Sequence, residues 1–250
     1  CCFGLMLVAI PLPAGASVSL IGPNGSGKST LLNAVAGLHR PDAGSVRVFG
    51  AAPATVRERI DALVDAGSFQ EFGSITGVPE YDAAGELREL LPTNLVCGLA
   101  RINGRRVFIT GDDFTVRGGA NDGGLRDKFV FAETFAQRWR LPLVRLVDGT
   151  GGGGSVKHLE TLGRTYLPDV PQFTAMADAL SEIPVVALGL GSVAGMGAAR
   201  VCASHYSMMV RGSAQLFAAG PPVVARAGED VDKETLGGAA MHAANGTIDD

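Results

Sequence analysis

The chain has 250 residues, of which 46% are hydrophobic and 18% charged, and its formal net charge is −4. This apolar content supports a folded core rather than disorder, and the lack of any basic cluster excludes a nucleic-acid-binding protein. The four scattered cysteines form no metal-binding or disulfide pattern, which indicates reduced thiols and a cytoplasmic protein. No apolar run reaches the ~20 residues that a membrane-spanning helix needs.

The first fifty residues carry a phosphate-binding pattern. Residues 17–21 have the pattern of a buried strand and residues 30–38 that of a helix. The loop between them, GPNGSGKS, matches G-x-x-x-x-G-K-[ST] in its required context. In such a loop backbone N–H groups cradle phosphate oxygens, the Lys reaches the β/γ-phosphates and the Ser holds Mg²⁺. The candidate nucleotide-binding residues are Gly22, Asn24, Gly25, Gly27, Lys28, Ser29 and Thr30.

This segment resembles the Walker A region of an ABC-transporter ATPase over about residues 11–50. That family implies ATP and Mg²⁺, but also a signature motif, a Walker B Asp-Glu pair and a switch His, and the sequence contains none of them. The nearest Walker B run has Arg145 within it, and Gly149 stands where the catalytic Glu belongs. We therefore expect residues 1–50 to be a partial P-loop β-α-β fragment, followed by a linker at 51–55. Either it binds phosphate weakly or it is an inactive, fused remnant.

Beyond the linker, the pattern is one of alternating strands and helices. Periodicity predicts helices over residues 56–64, 133–139, 173–180 and 198–203. It predicts strands over residues 69–72, 95–101, 106–110, 141–147, 185–190 and 207–210, with a hairpin turn at Asn103-Gly104 and a glycine-rich turn over 191–197. Strands that lead through glycine loops into helices indicate an α/β fold.

Five blocks then carry a family resemblance. They are RERIDALVDAGSFQEFG, GLARINGRRVFITGDDFTVRGGA, LVDGTGGGGSV, VVALGLGSVAGMGAARVCASHYSMMV and LFAAGPPVVARAGEDVDKETLGGAAMH. In this order they resemble the N-terminal domain of the β-type carboxyltransferase subunits of propionyl-CoA, methylcrotonyl-CoA and related acyl-CoA carboxylases. The resemblance covers residues 56–250, and it implies a crotonase-like (ClpP/crotonase) fold of repeated ββα units. It also implies an enzyme that transfers a carboxyl group from carboxybiotin, held on a partner, to a short acyl-CoA.

The implied chemistry passes through an enolate. Its negative oxygen needs backbone N–H donors, which small residues allow to approach closely. The family's Ala-Gly-Gly oxyanion turn matches Ala194, Gly195 and Met196, so the catalytic amides are expected at Gly195 and Met196, with the Met side chain narrowing the acyl pocket. Released biotin can take the proton, so no catalytic His is expected among His39, His158, His205 and His242.

The resemblance also marks the coenzyme A side of the site. Gly151 to Gly154 match a D-S-G-G loop at the thioester end, and further blocks begin at Asp113 and at Gly220. On their glycines alone, residues 151–154 could equally form a mobile surface loop. The candidate substrate-binding residues are Asp148, Gly118, Gly119, Gly151, Gly152, Gly153, Gly154 and Ala194.

The family's complete site needs two domains and a biotin carboxyl carrier protein or domain. A homologous C-terminal domain, usually from another subunit of a homo-oligomer, supplies the biotin side. The sequence ends about where that domain would begin, so we expect these residues alone to bind CoA without turnover. Three alternatives stay open: an ATP-binding transporter subunit, a non-catalytic CoA-binding protein of crotonase fold, and a decarboxylase that uses the same enolate in reverse.

Overall fold

The computed structural model describes residues 55–119, 126–149 and 170–250. The chain divides into two compact units, Cys1–Ala54 and Thr55–Asp250. The predicted nucleotide-binding residues 22–30 and the glycines at 151–154 lie outside the described residues.

The strands of the second unit form one main sheet and two small ones. In the described residues they are β1 (Gln70–Phe72), β2 (Gly77–Tyr81), β3 (Leu87–Pro92), β4 (Leu95–Ile102), β5 (Arg105–Asp112), β6 (Leu143–Val147), β7 (Val185–Gly189), β8 (Ser192–Ala194), β9 (Tyr206–Met209) and β10 (Gln215–Phe217). The main sheet has the order β1-β4-β5-β6-β7-β9. It is antiparallel from β1 to β5 and parallel from β5 to β9. Strands β2 and β3 form a separate hairpin.

Helices cover both faces of the main sheet. They are α1 (Val56–Leu63), α2 (Arg126–Arg138), α3 (Val170–Glu182), α4 (Met196–Cys202), α5 (Pro221–Arg226), α6 (Lys233–Gly237) and α7 (Ala239–Ala244), with a 3₁₀ turn at Arg117–Gly119. Helix α1 begins at a capping box, in which the side chain of Thr55 and that of Glu58 each bond to the other's backbone N–H. Among the described residues, no helix is both long and apolar enough to cross a bilayer.

Two apolar clusters show how the sheet is covered. On one face, Phe108 and Leu143 pack against alanines of α2 and α3. On the other face, Ile60 of α1 packs against Ile109 and Leu146. All five residues of β6 are buried, as expected for a parallel strand covered on both sides.

The predicted α/β alternation is present. The β2–β3 hairpin and helices α5 to α7 were not predicted, and several predicted elements differ locally. The helix predicted to begin at residue 133 begins at Arg126. The predicted turn over 191–197 instead contains strand β8, which pairs in parallel with β10, and helix α4 already begins at Met196. A three-residue strand gains its hydrogen bonds from a partner distant in sequence, so local periodicity does not reveal it.

Burial of Cys97 predicts a stability loss at high pH. Its thiol lies on β4 among apolar side chains, and burial raises the pKa of this thiol from 9.0 to about 11. The folded state therefore favours the neutral thiol: this stabilisation is complete below pH 9 and is lost as the pH rises through about 11. We expect the free energy of unfolding to fall by roughly 2 kcal/mol over that range. Denaturant titrations at several pH values would measure the fall.

Two alanine variants separate this effect from other titrations. Cys97→Ala should remove the Cys97 part of the fall. Cys202→Ala should remove only a smaller part, because burial raises the pKa of that thiol too but the residue is exposed. An identical pH profile for wild type and Cys97→Ala would contradict the assignment.

Candidate functional site

The candidate site lies where the parallel strands β6 and β7 end. Asp148 directly follows β6, and Gly191 stands two positions beyond β7. In α/β sheets ligands bind at the carboxyl ends of the strands. The candidate residues Gly119, Asp148 and Ala194 meet at this edge through the contacts described next.

The Asp148 side chain contacts other residues of the protein. Its Oδ2 accepts a hydrogen bond from Nη1 of Arg59 on α1. Burial raises the pKa of this carboxyl, and the hydrogen bond and charge of Arg59 partly offset the rise. The carboxylate also presses on Gly191, where a Cβ would come closer than 3.0 Å to Oδ1. The Asp148 carboxylate therefore bonds the end of β6 to α1 and lies against the backbone that follows β7.

Gly119 makes the second close approach at this edge. Its φ is +67°, and a Cβ there would come within 3.0 Å of the Asp148 carbonyl oxygen and of the Gly149 Cα. A Cβ on Gly149 would in turn strike the Gly119 carbonyl. The turn that contains Gly118 and Gly119 thus lies with its backbone directly against Asp148, and only glycine fits at the contact.

The turn between β8 and α4 completes the site. The N–H of Ala194 donates to the carbonyl of Gly149 at 3.2 Å, which fixes the turn to the end of β6. Gly195 has φ +59° and ψ −122°, and a Cβ built on it meets nothing within 4 Å. Among the described residues, none fills the space that a side chain at Gly195 would enter. Behind the turn, a Cβ on Gly197 would lie 2.7 Å from Val193 Cγ1, so the start of α4 packs tightly on β8.

The structure corrects half of the predicted oxyanion pair. The N–H of Gly195 donates to the carbonyl of Phe217 on β10 at 3.0 Å, as part of the short parallel sheet, so it is not free for a ligand. The N–H of Met196 heads the first turn of α4, where amides have no partner within the helix. No loop or cap hydrogen bond to it occurs in residues 55–119, 126–149 and 170–250. Met196 is therefore the available donor.

The Met196 side chain lies in an apolar cluster. It is buried and packs with Leu95, Phe129 and Met176. The narrowing of the acyl pocket by Met196 stays a prediction.

Other predicted residues have local structural roles. Asp113 Oδ1 accepts hydrogen bonds from the N–H and the hydroxyl of Thr115 at 3.0 and 2.6 Å, which closes a small turn after β5. Gly220 caps α5. His205 Nδ1 accepts from the N–H of Val185, and His242 Nε2 bonds to the carbonyl of Leu216. No cluster of three or more His, Cys, Asp or Glu suited to a metal ion occurs in the described ranges.

Sequence reasoning missed Arg59, although it predicted α1. The helical pattern placed Arg59 among charged residues on the solvent side, yet its side chain is only 29% exposed and reaches Asp148. A long arginine beside a buried stripe can turn its head group inward to an acid, and no pattern within one helix identifies that acid.

Comparisons with known proteins identify two families that the chain resembles. The family model of the carboxyl transferase domain matches residues 50–249, and that of the ABC transporter matches residues 5–75. The methylcrotonoyl-CoA carboxylase beta chain of Arabidopsis thaliana is 37% identical over 194 residues, which are 74% of this chain and 31% of that protein. The chain thus spans about a third of the length of the curated relatives it matches.

Two solved structures agree in fold. The beta subunit of P. aeruginosa geranyl-CoA carboxylase aligns with a TM-score of 0.61 and 27% identity, over 78% of this chain and 35% of that chain. The transcarboxylase 12S hexamer with methylmalonyl-coenzyme A bound aligns with a TM-score of 0.62 and 27% identity, over 78% and 37%. The fold predicted for residues 56–250 is confirmed.

Proposed function

The chain belongs to the carboxyl transferase domain family, and we propose that residues 56–250 form the acyl-CoA-binding half-site of a biotin-dependent acyl-CoA carboxyltransferase. One observation carries the proposal. Within residues 55–119, 126–149 and 170–250, a turn lies at the carboxyl ends of the parallel strands in which no atom comes within 4 Å of a Cβ on Gly195 and no loop or cap bond uses the Met196 amide. This is where a thioester carbonyl would need a donor.

The chemistry that these residues perform is stabilisation of an enolate. When the α-proton of the thioester leaves, charge develops on the carbonyl oxygen, and an amide fixed toward that oxygen stabilises it. The N–H of Met196 supplies one such donor, and the N–H of Gly197 follows it in the same turn of α4. Carboxybiotin on a partner would supply the carboxyl group.

The coenzyme A side would be shaped by the glycine contacts. Gly118, Gly119, Ala194 and the backbone of Asp148 are proposed to lead toward the thioester. The predicted residues Gly151, Gly152, Gly153 and Gly154 are proposed to complete that side. The Asp148 carboxylate faces Arg59 and Gly191. Its proposed role is therefore to position the backbone, rather than to bind the substrate directly.

The proposed partners are an acyl-CoA, a biotin carboxyl carrier protein or domain and a homologous C-terminal domain within a homo-oligomer. Since the chain spans about a third of its curated relatives, we expect it to bind propionyl-CoA in calorimetry yet to transfer no carboxyl group alone. Propionyl-CoA that binds no more tightly than a CoA-free thioester would refute the half-site. Carboxyl transfer by the chain alone would refute the need for a second domain. A cytoplasmic location remains a prediction from the cysteine pattern.

Gly195→Ala tests the turn directly. Because φ is +59° and ψ is −122°, alanine there is strained by about 1–3 kcal/mol, and its methyl group enters space that no described residue fills within 4 Å. We expect propionyl-CoA binding to weaken by about tenfold, the size of one net hydrogen bond. Gly212→Ala is the control, because this glycine also has a positive φ, +79°, and no described residue within 4 Å of its Cβ position. It should keep its affinity, and equal affinities in the two variants would contradict the placement of the site.

A second candidate function concerns the first unit. The ABC transporter match at residues 5–75 supports nucleotide binding by the loop around Lys28. ATP with Mg²⁺ would bind there, and Lys28→Ala should abolish that binding in calorimetry without changing propionyl-CoA binding. No Mg·ATP binding by the wild type would favour the inactive remnant.

A decarboxylase direction at the half-site would show as release of CO₂ from malonyl-CoA once a second domain is supplied.

A further inference from the structure

Arg145 is a buried arginine in the apolar strand β6. Its side chain and that of Glu133 on α2 are both 0% exposed. Nε donates to Glu133 Oε1 at 2.9 Å and Nη2 donates to Oε2 at 2.7 Å. This side-on, two-bond pairing fixes the plane of the guanidinium.

The remaining nitrogen of Arg145 holds the end of α4. Nη1 donates to the carbonyl of Arg200 at 3.1 Å and to that of Ala203 at 2.6 Å. These carbonyls belong to the last turn and C-cap of α4, where the helix leaves its oxygens without internal partners. The strand that leads to Asp148 is therefore bonded to the helix that begins at Met196.

A second ion pair holds the last turn of the same helix. Arg200 Nη1 donates to both carboxylate oxygens of Asp112 at 2.8 and 2.9 Å, and its guanidinium lies 4.9 Å from the ring centre of Phe129. Asp112 is the last residue of β5. Helix α4 is thus bonded to two adjacent strands of the sheet at the edge where the site lies.

Stability alone does not account for these charges. Replacing a buried ion pair with apolar residues of similar volume is often neutral or stabilising. Here Arg200 Nε and Nη2 are also buried without a partner, which adds a desolvation cost. Unlike apolar contacts, each hydrogen bond of these pairs fixes an angle as well as a distance. The pairs therefore fix the orientation of α4 relative to the sheet.

We infer that Arg145, oriented by Glu133, is a positioning residue that sets the direction of the Met196 N–H. Helix α4 has seven residues, so it is about 10 Å long. Over two turns a helix moves as a rigid unit, and a rotation released at Ala203 also reorients the amide at its other end. This inference rests on the proposed function.

The test compares two ligands that differ only at the carbonyl. Propionyl-CoA carries the thioester oxygen, whereas S-propyl-CoA has a methylene in its place. The ratio of their dissociation constants therefore reports the interaction with that oxygen. A change in how the protein binds the CoA moiety affects both ligands equally and leaves the ratio unchanged. The double variant Glu133→Leu/Arg145→Met keeps the side-chain volumes but loses the bonds to α4. We expect its ratio to fall about tenfold toward unity, with S-propyl-CoA binding unchanged.

A control pair elsewhere in the fold tests whether the effect is specific to Arg145, and a second variant serves if the first does not fold. Arg57→Met/Glu71→Leu removes a bidentate pair of the same type between α1 and β1 and should leave the ratio unchanged. If the first double variant does not fold, Arg145→Lys keeps a charge opposite Glu133. Its single ammonium nitrogen cannot pair side-on with the carboxylate through two nitrogens while a third nitrogen donates to the carbonyls of Arg200 and Ala203, and its ratio should also fall. An unchanged ratio in folded variants, with a clear thioester preference in wild type, overturns the inference alone. The absence of any preference in wild type overturns the proposed function, and the inference with it.

Discussion

Glu133→Ala is expected to lower the free energy of unfolding by roughly 3–5 kcal/mol, because it leaves the Arg145 guanidinium buried without its carboxylate. Both side chains are 0% exposed, so water cannot take the place of the lost partner. Two charge-assisted hydrogen bonds disappear in the same step. Denaturant-induced unfolding followed by circular dichroism would measure the loss.

The matched control is a pair with the same geometry at the surface. Arg57 also bonds Glu71 through Nε and Nη2, but its side chain is 49% exposed. Glu71→Ala should therefore cost only about 1 kcal/mol or less, since water solvates the released guanidinium. Similar losses in the two alanine variants would show that burial does not govern the Glu133 effect. Glu133→Leu/Arg145→Met should recover most of the loss, because no charge is left unpaired.

The strand ends that form the site could be predicted from sequence, because they depend on local patterns. A buried apolar run followed by Asp148 and a glycine marks the carboxyl end of a parallel strand, and the same holds for β7 and Gly191. The family resemblance named the amides of Gly195 and Met196, and of these two the Gly195 N–H donates to the carbonyl of Phe217. The oxyanion role of Met196 stays a prediction. The sequence was sufficient to predict an element wherever the apolar pattern of that element alone shows which of its residues are buried.

The bonding of the Gly195 amide and the role of Arg145 could not be predicted, because both depend on partners distant in sequence. The amide of Gly195 is occupied because β10 lies beside β8 and presents the carbonyl of Phe217, and nothing near Gly195 encodes that neighbour. Arg145 was visible as an anomaly in an apolar strand, which argued against a Walker B motif. Its role could not be predicted, because it depends on Glu133 and on the end of α4, which meet it only in the folded chain.

Gly119→Ala is expected to be the most disruptive of the glycine substitutions at the site. Gly67 provides a comparison at nearly the same φ, +69° against +67°, but no described residue lies within 4 Å of a Cβ there. Gly67→Ala should therefore show conformational strain alone, about 1–2 kcal/mol. At Gly119 a Cβ also collides with the backbone of Asp148 and Gly149, which cannot turn aside as a side chain would. Overpacking of this kind adds about 1–3 kcal/mol.

The collision at Gly119 also has a functional consequence that the control lacks. The least costly relaxation moves the end of β6 away from the 117–119 turn. The Gly149 carbonyl, which accepts the Ala194 N–H at 3.2 Å, moves with it. We therefore expect Gly119→Ala, in the fraction that folds, to bind propionyl-CoA at least tenfold more weakly, a loss of about 1.4 kcal/mol, while Gly67→Ala binds like wild type. Equal stability losses would contradict the steric argument, and unchanged affinity in folded Gly119→Ala would separate this contact from the acyl-CoA site.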